Sequence, residues 1–231
     1  MRDTILTLLV FIIFSCTTND SARIIYPDKP KQQKVDTVTI FVDSTNIAFP
    51  NGNKVWLAYM VLDDSIPKAI LHFYSKENNL WKLIYSFEDE HWSGEILMPE
   101  IVDFNNDGYK DFKYLKGTGA RGGNGINNLF IYDKSGDNLF YVVNSEEYPN
   151  LYYNHETNTI NSYILTGCNE TEFMRLDGSR LTCLASVDQC GKNVIVYVYD
   201  KKGVPKIISE DISGKYEEFA NFINYDPLKV E

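Results

Sequence analysis

An all-β domain, either an antiparallel β-sandwich or a partly closed, twisted meander, is predicted for residues 35–231 by three observations. Helical periodicity is nearly absent. Short runs rich in Val, Ile, Tyr, Phe and Trp recur instead. Polar turns separate them, such as Lys76-Glu77-Asn78-Asn79, Lys134-Ser135-Gly136-Asp137 and Leu176-Asp177-Gly178-Ser179. Connections this short join antiparallel neighbours, because a parallel pair needs a long crossover. Turn spacing does not separate a sandwich from a closing sheet.

In order, strands are expected at Val38 to Val42, Lys54 to Leu62, Ala69 to Tyr74 and Leu80 to Phe87. Phe112 to Leu115 follows, then Asn128 to Tyr132, Leu139 to Val143, Tyr148 to Asn154 and Thr159 to Leu165. Glu170 to Leu176, Arg180 to Ser186 and Val194 to Tyr199 complete the set. Only Gly214 to Phe222 reads as a short helix.

A leader is expected at residues 1–15. Ile5 to Phe14 is apolar, of signal-peptide length, and too short to span a bilayer as a helix. Arg2 supplies the basic end, and Ile13-Phe14-Ser15-Cys16 resembles a bacterial lipobox. Residues 1–15 are therefore expected to be cleaved and Cys16 acylated, with the acyl chains as the only membrane attachment. Thr17 and Thr18 follow Cys16 where an aspartate would argue for inner-membrane retention, so the outer membrane is expected, facing the periplasm or the exterior. Residues 16–34 are polar, carry Pro27 and Pro30, and read as a tether. The formal charge of -10 argues against nucleic acid and anionic lipid as partners and suits a cationic protein.

Three cysteines remain after Cys16 in an oxidising compartment. Counting outward from the turn at Leu176 to Ser179 brings Cys168 near Val187, with Cys190 just beyond. Cys168–Cys190 is the expected bridge and Cys183–Cys190 its competitor. Cys183 shares a strand face with Leu181, Ala185 and Val187 and is expected in the core if it is free.

Two candidate sites lie back to back in DFNNDGYKDFKYLKGTGARGGNG, Asp103 to Gly125. In the first half, Asp103, Asn105, Asp107 and Asp111 carry oxygen ligands at a spacing that suits calcium, while Gly108 turns the chain. Tyr109 would add its backbone carbonyl, Asp111 would act directly or through water, and Glu100 could add an oxygen. Tyr114 stands where an EF-hand has its bidentate glutamate, so this is an EF-hand-like loop between strands. The competing reading is an Asn-Asp-Gly turn in an acidic protein.

The second half contains Gly117-Thr118-Gly119-Ala120-Arg121-Gly122, a literal G-x-G-x-x-G. A strand follows it rather than a helix, so no helix dipole faces a phosphate and no nucleotide is expected. Five glycines between Gly117 and Gly125 are read either as a mobile hairpin loop or as a loop that enters a partner's cleft. In the second reading Gly117, Gly119, Arg121, Gly122 and Asn124 form the contact, with Arg121 pairing with carboxylates.

Pro99 to Asp111, followed by Gly119-Ala120-Arg121-Gly122-Gly123-Asn124, resembles a group of exported calcium-binding β proteins. These are related to periplasmic inhibitors of invertebrate-type lysozyme and to immunity proteins against peptidoglycan-cleaving toxins. The resemblance extends from about Leu97 to Val198 and does not cover Val35 to Trp92. It implies a protein that is not an enzyme, binds Ca2+ and blocks a peptidoglycan hydrolase with exposed loops, here Gly117 to Gly125 around Arg121. The alternative is a calcium-stabilised cell-surface module for glycan or protein. Catalytic signals are sparse: G-x-S-x-G is absent, and His72, His91 and His155 lack zinc spacing. Trp92 is expected buried, and Glu88-Asp89-Glu90 solvated.

Overall fold

The computed structural model describes residues 35–62, 66–92 and 97–231, and the leader, acylated Cys16 and tether expected from sequence lie outside them. Its architecture is nearly all-β, with antiparallel pairing throughout and no closed barrel. The first sheet runs β1 (Val35–Asp43), β2 (Asn53–Leu62), β3 (Lys68–Glu77) and β4 (Leu80–Glu90), in that order. The second runs β5 (Glu100–Val102), β6 (Asp111–Gly119), β7 (Asn124–Asp133) and β8 (Asn138–Tyr141). A third, six-stranded sheet holds β9 (Tyr152–Asn154), β10 (Thr159–Leu165), β11 (Asn169–Asp177), β12 (Arg180–Cys190), β13 (Asn193–Tyr199) and β14 (Pro205–Asp211), each beside its sequence neighbour. The hairpin β15 (Phe222–Tyr225) and β16 (Leu228–Val230) ends the chain.

Side-chain alternation turns these sheets into layers. Val55, Leu57, Leu71 and Phe73 of the first sheet pack on Phe112, Tyr114, Phe130 and Tyr132 of the second. The opposite face of the second sheet, Leu129 and Ile131, packs on Ile160, Met174 and Leu181 of the third. The third then presents Phe173, Val187 and Val196 to Phe222. The second sheet is thus covered on both faces, and Asp111 to Gly117 are buried without a break. Phe130 sits among Tyr85, Phe87, Phe112, Tyr114 and Tyr141, with ring centroids 5.0–6.5 Å away.

Two local expectations are corrected. Residues 214–221 form no helix and run irregularly into β15. Gly214 has φ +71°, a helix-breaking conformation, and Gln189 Nε2 donates to the Glu217 carbonyl at 2.7 Å in place of a helical bond. Tyr148 to Asn154 is strand only from Tyr152, because a 3-10 turn at Ser145–Glu147 and the left-handed Asn150 (φ 54°) interrupt it.

Cys168 and Cys190 are joined by a disulfide, and Cys183 is free and half-buried. The outward count misses the register for two reasons. The turn is tighter, Asp177 already pairing with Arg180, and a bulge at Leu184 adds a residue to β12. Asn169 therefore pairs with Gln189, beside the bridge. The bulge also separates Cys183, which packs with Leu181, from Ala185 and Val187, which face the opposite layer.

Candidate functional site

β6 links both candidate sites: it starts at Asp111 in the aspartate loop and ends at Gly119, beside the tip that carries Arg121. The loop closes on itself through its own oxygens. Asp103 accepts from the backbone N–H of Asp107 (3.1 Å) and Gly108 (2.8 Å). Asn105 Oδ1 accepts from Asp107 N–H at 3.1 Å, and its amide donates to Asp107 Oδ2 at 3.0 Å. Asp107 Oδ1 takes Tyr109 N–H at 2.9 Å. Asn106 (φ 58°) and Gly108 (φ 90°) are left-handed, and the glycine makes the second bend without strain.

Asp111, grouped with these by spacing, is the buried member of the set. It accepts from Phe104 N–H (2.7 Å) and Tyr132 N–H (2.9 Å), which ties the loop to β7. Burial raises its carboxyl to about 7, and the charges of Asp107 and Asp103 push in the same direction. Glu100 is committed elsewhere, pairing with Lys113 at 2.8 Å. Among the described residues, no three His, Cys, Asp or Glu side chains are placed to share one metal ion.

The donor types of Asp103, Asn105 and Asp107, with the Tyr109 carbonyl, nevertheless fit a hard cation, since each oxygen keeps a further lone pair. Asp111 supplies the second test of fit. Its buried carboxyl feels two neighbouring negative charges, and a cation at the loop would relieve that repulsion.

The glycine segment is mostly paired strand, which corrects the expectation of a loop from Gly117 to Gly125. Gly117 pairs with Ile126, Thr118 with Gly125, and Gly119 with Asn124, so only the tip at residues 120–123 leaves the ladder. A Cβ on Gly117 would lie 2.8 Å from Trp92 Cβ, and one on Gly125 would meet Leu115 and Asn150 at 3.2 Å. Those glycines permit close packing rather than reach.

Asn124 is buried and exchanges two hydrogen bonds with the Leu165 backbone, both 2.9 Å. Asn150 adds more, accepting from Gly125 N–H (2.8 Å) and donating to the carbonyls of Gly123 (2.9 Å) and Tyr163 (2.7 Å). The hairpin end is thereby fastened to the third sheet. At the tip, Ala120, Arg121 and Gly122 all have positive φ, 46°, 57° and 96°, which L-residues seldom adopt consecutively. Arg121 is exposed there. Of the five contact residues expected from sequence, the structure leaves Arg121 and Gly122 at the tip and places Gly117, Gly119 and Asn124 in the supporting strands.

A polar network that sequence reading missed lies nearby. Lys116, mostly buried, contacts Asp89 at 2.7 Å and Glu146 at 2.8 Å, and lies 4.8 Å from the centre of the Trp92 ring. Asn128 donates to Asp89 (3.1 Å) and to Tyr114 OH (2.8 Å), and Tyr141 OH donates to Glu146 at 2.8 Å. Asp89 therefore turns inward instead of being solvated. Trp92 is 59 % exposed, not buried. The only sequence cue was the alternation of β4, which puts Asp89 on the opposite face from Glu88 and Glu90.

No helix among the described residues is long and apolar enough to cross a membrane. No family model matches the chain, and no curated protein sequence matches it. Among solved structures, a Xanthomonas type IV secretion system related protein aligns over 78 % of this chain and 96 % of that chain, with a TM-score of 0.41 and 12 % identity.

Proposed function

We propose that this chain is a lipid-anchored, calcium-binding protein of inhibitor or immunity type that blocks a lysozyme-like peptidoglycan hydrolase, and that it is not an enzyme. The observation that carries this reading is the β6–β7 tip. Strained, exposed Arg121 stands on a hairpin fastened by Asn124 and Asn150, and such a projection enters a cleft with little left to order on binding. The Arg121 guanidinium then meets the carboxylates that line a glycosidase cleft. The acidic chain suits a cationic target, and acylation at Cys16 would hold the inhibitor at the outer membrane. Arg121→Ala should weaken binding to a susceptible lysozyme at least tenfold in a calorimetric titration, while melting temperature stays within a degree or two. Equal affinity would remove Arg121 from the interface.

In this reading Asp103, Asn105, Asp107 and the Tyr109 carbonyl hold Ca2+, which neutralises the charge gathered at the start of β6. Asp111 supports the loop from behind through its two backbone bonds. At a hundredfold excess over its dissociation constant, calcium would add about 2.7 kcal/mol. The wild type should therefore melt several degrees higher in calcium than in chelator, and Asp107→Ala should show no such gap. Superimposable wild-type curves would reduce the loop to a turn.

One observation favours the alternative, a surface module for glycan or protein. The outward face of the first sheet carries a ladder in which Trp56 stacks on His72 and His72 meets Tyr74 edge-on. Lys54 lies 4.2 Å from the Tyr74 ring centre and 4.9 Å from that of Trp81. Binding of peptidoglycan itself, lost in Trp81→Ala and retained in Arg121→Ala, would support this second reading.

A further inference from the structure

Trp92 is exposed over more than half its surface, yet its surroundings hold it in place. The backbone beside it is tied down. His91, 2 % exposed, donates its backbone N–H to the Pro67 carbonyl at 2.8 Å and its ring Nε2–H to the Leu115 carbonyl at 2.9 Å. Trp92 N–H donates to the Lys116 carbonyl, also at 2.9 Å, so the residue lies alongside β6. Gly117 makes room for the side chain, because a Cβ there would stand 2.8 Å from Trp92 Cβ and 3.0 Å from its Cε3. The Lys116 ammonium sits over the ring and is itself pinned between Asp89 and Glu146. An indole fixed at its backbone and on one face loses little freedom when a partner covers the rest.

Single exposed aromatics are ordinary on protein surfaces, so the meaning of this one comes from its position. Arg121 follows Lys116 by five residues, through the end of β6 and into the tip. The two backbone positions are therefore at most about 17 Å apart. A cleft that admits the tip brings its wall against the indole. Tryptophan and arginine are also the side chains on which binding surfaces most often depend.

The shape of the indole selects the wall. It is a flat ring with apolar faces and an N–H at its edge, and it matches a slot made for a sugar ring, which is likewise apolar on its faces and polar at its rim. A glycosidase that cleaves within a chain has such slots along its cleft, since it holds sugar rings on both sides of the bond it breaks. An amidase grips the peptide stem and needs none.

We propose that Trp92 is a second anchor of the inhibitory surface, entering a sugar slot of the same cleft whose carboxylates Arg121 meets, and that the target is an endo-acting glycosidase. This inference rests on the reading of the Arg121 tip given above and adds the class of hydrolase to it.

Calorimetric titration of wild type, Trp92→Ala and Arg121→Ala tests it, against lysozymes of the invertebrate, chicken and goose types and against a peptidoglycan amidase. The wild type is expected to bind at least one lysozyme, and the amidase at least tenfold more weakly. Trp92→Ala should weaken the lysozyme contact at least tenfold while melting within about two degrees of the wild type. A loss with Arg121→Ala and none with Trp92→Ala overturns the second anchor and leaves the tip reading standing. Failure of every lysozyme to bind removes both. Amidase binding as tight as that of the best lysozyme overturns the assignment to glycosidases.

Discussion

Replacing Lys116 with methionine is expected to destabilise the protein by about 3–5 kcal/mol, the usual cost of removing one partner from a buried ionic network. Lys116 is 8 % exposed and joins Asp89 from the first sheet to Glu146 beside the second. Without it, two partly exposed carboxylates are left near each other with no cation between them. Asn128 and Tyr141 would be left donating to charges that no cation balances. Methionine keeps an unbranched stem of similar length, so the loss reports the ammonium, including its place over the Trp92 ring, rather than a cavity. Urea unfolding of Lys116→Met, alone and together with Asp89→Asn and Glu146→Gln, checks this. The single variant should fall furthest, and neutralising the carboxylates should recover part of the loss. A change under about 1 kcal/mol, the value of an ordinary surface pair, would show that the network does not join the sheets.

Stability should also decline as pH rises from about 4 to about 9, by up to about 5 kcal/mol from Glu172 alone. Glu172 lies on the face of β11 that also carries Glu170 and Met174. Burial raises its carboxyl to about 8, with Glu170 and Asp188 adding repulsion. Glu170 is raised to about 7 by the same burial and by Asp188, to which it is hydrogen-bonded. The raised values determine the sign. Between the ordinary carboxylate range and pH 8 the folded state holds protons that the unfolded chain has released. Each rise in pH therefore favours unfolding until both states are ionised. Glu172 Oε2 has no hydrogen-bond partner, so ionisation brings no compensating contact. Glu172→Gln should flatten the profile and exceed the wild type in stability above pH 8. Parallel wild-type and Glu172→Gln profiles across this range would contradict the assignment.

The fold class was legible because alternation and turn chemistry act locally. Lys76 to Asn79 marked the β3–β4 hairpin, and Lys134 to Asp137 marked β7–β8. What sequence concealed came from contacts between layers. Gly117 and Gly125 looked like loop residues because their reason for being glycine, the approach of Trp92, Leu115 and Asn150, comes from distant segments. The backbone donors that hold Asp111, Phe104 and Tyr132, were not legible either, since only the folded sheet brings them together. The bulge at Leu184 divided a strand face that simple alternation would keep whole. β14 went unread because Pro205 and its closing charges obscure a strand supported on one side only.

The central claim, that the Arg121 tip occludes a hydrolase cleft, is tested most directly by a lytic titration. Purified protein in calcium would be added to lysozymes of the invertebrate, chicken and goose types while turbidity of a peptidoglycan suspension is followed. The expected result is a stoichiometric loss of lysis with at least one type, reduced at least tenfold when residues 120–123 are replaced by a two-residue turn. Undiminished lysis by every type at large excess of protein, or inhibition equally strong without the tip, would contradict it.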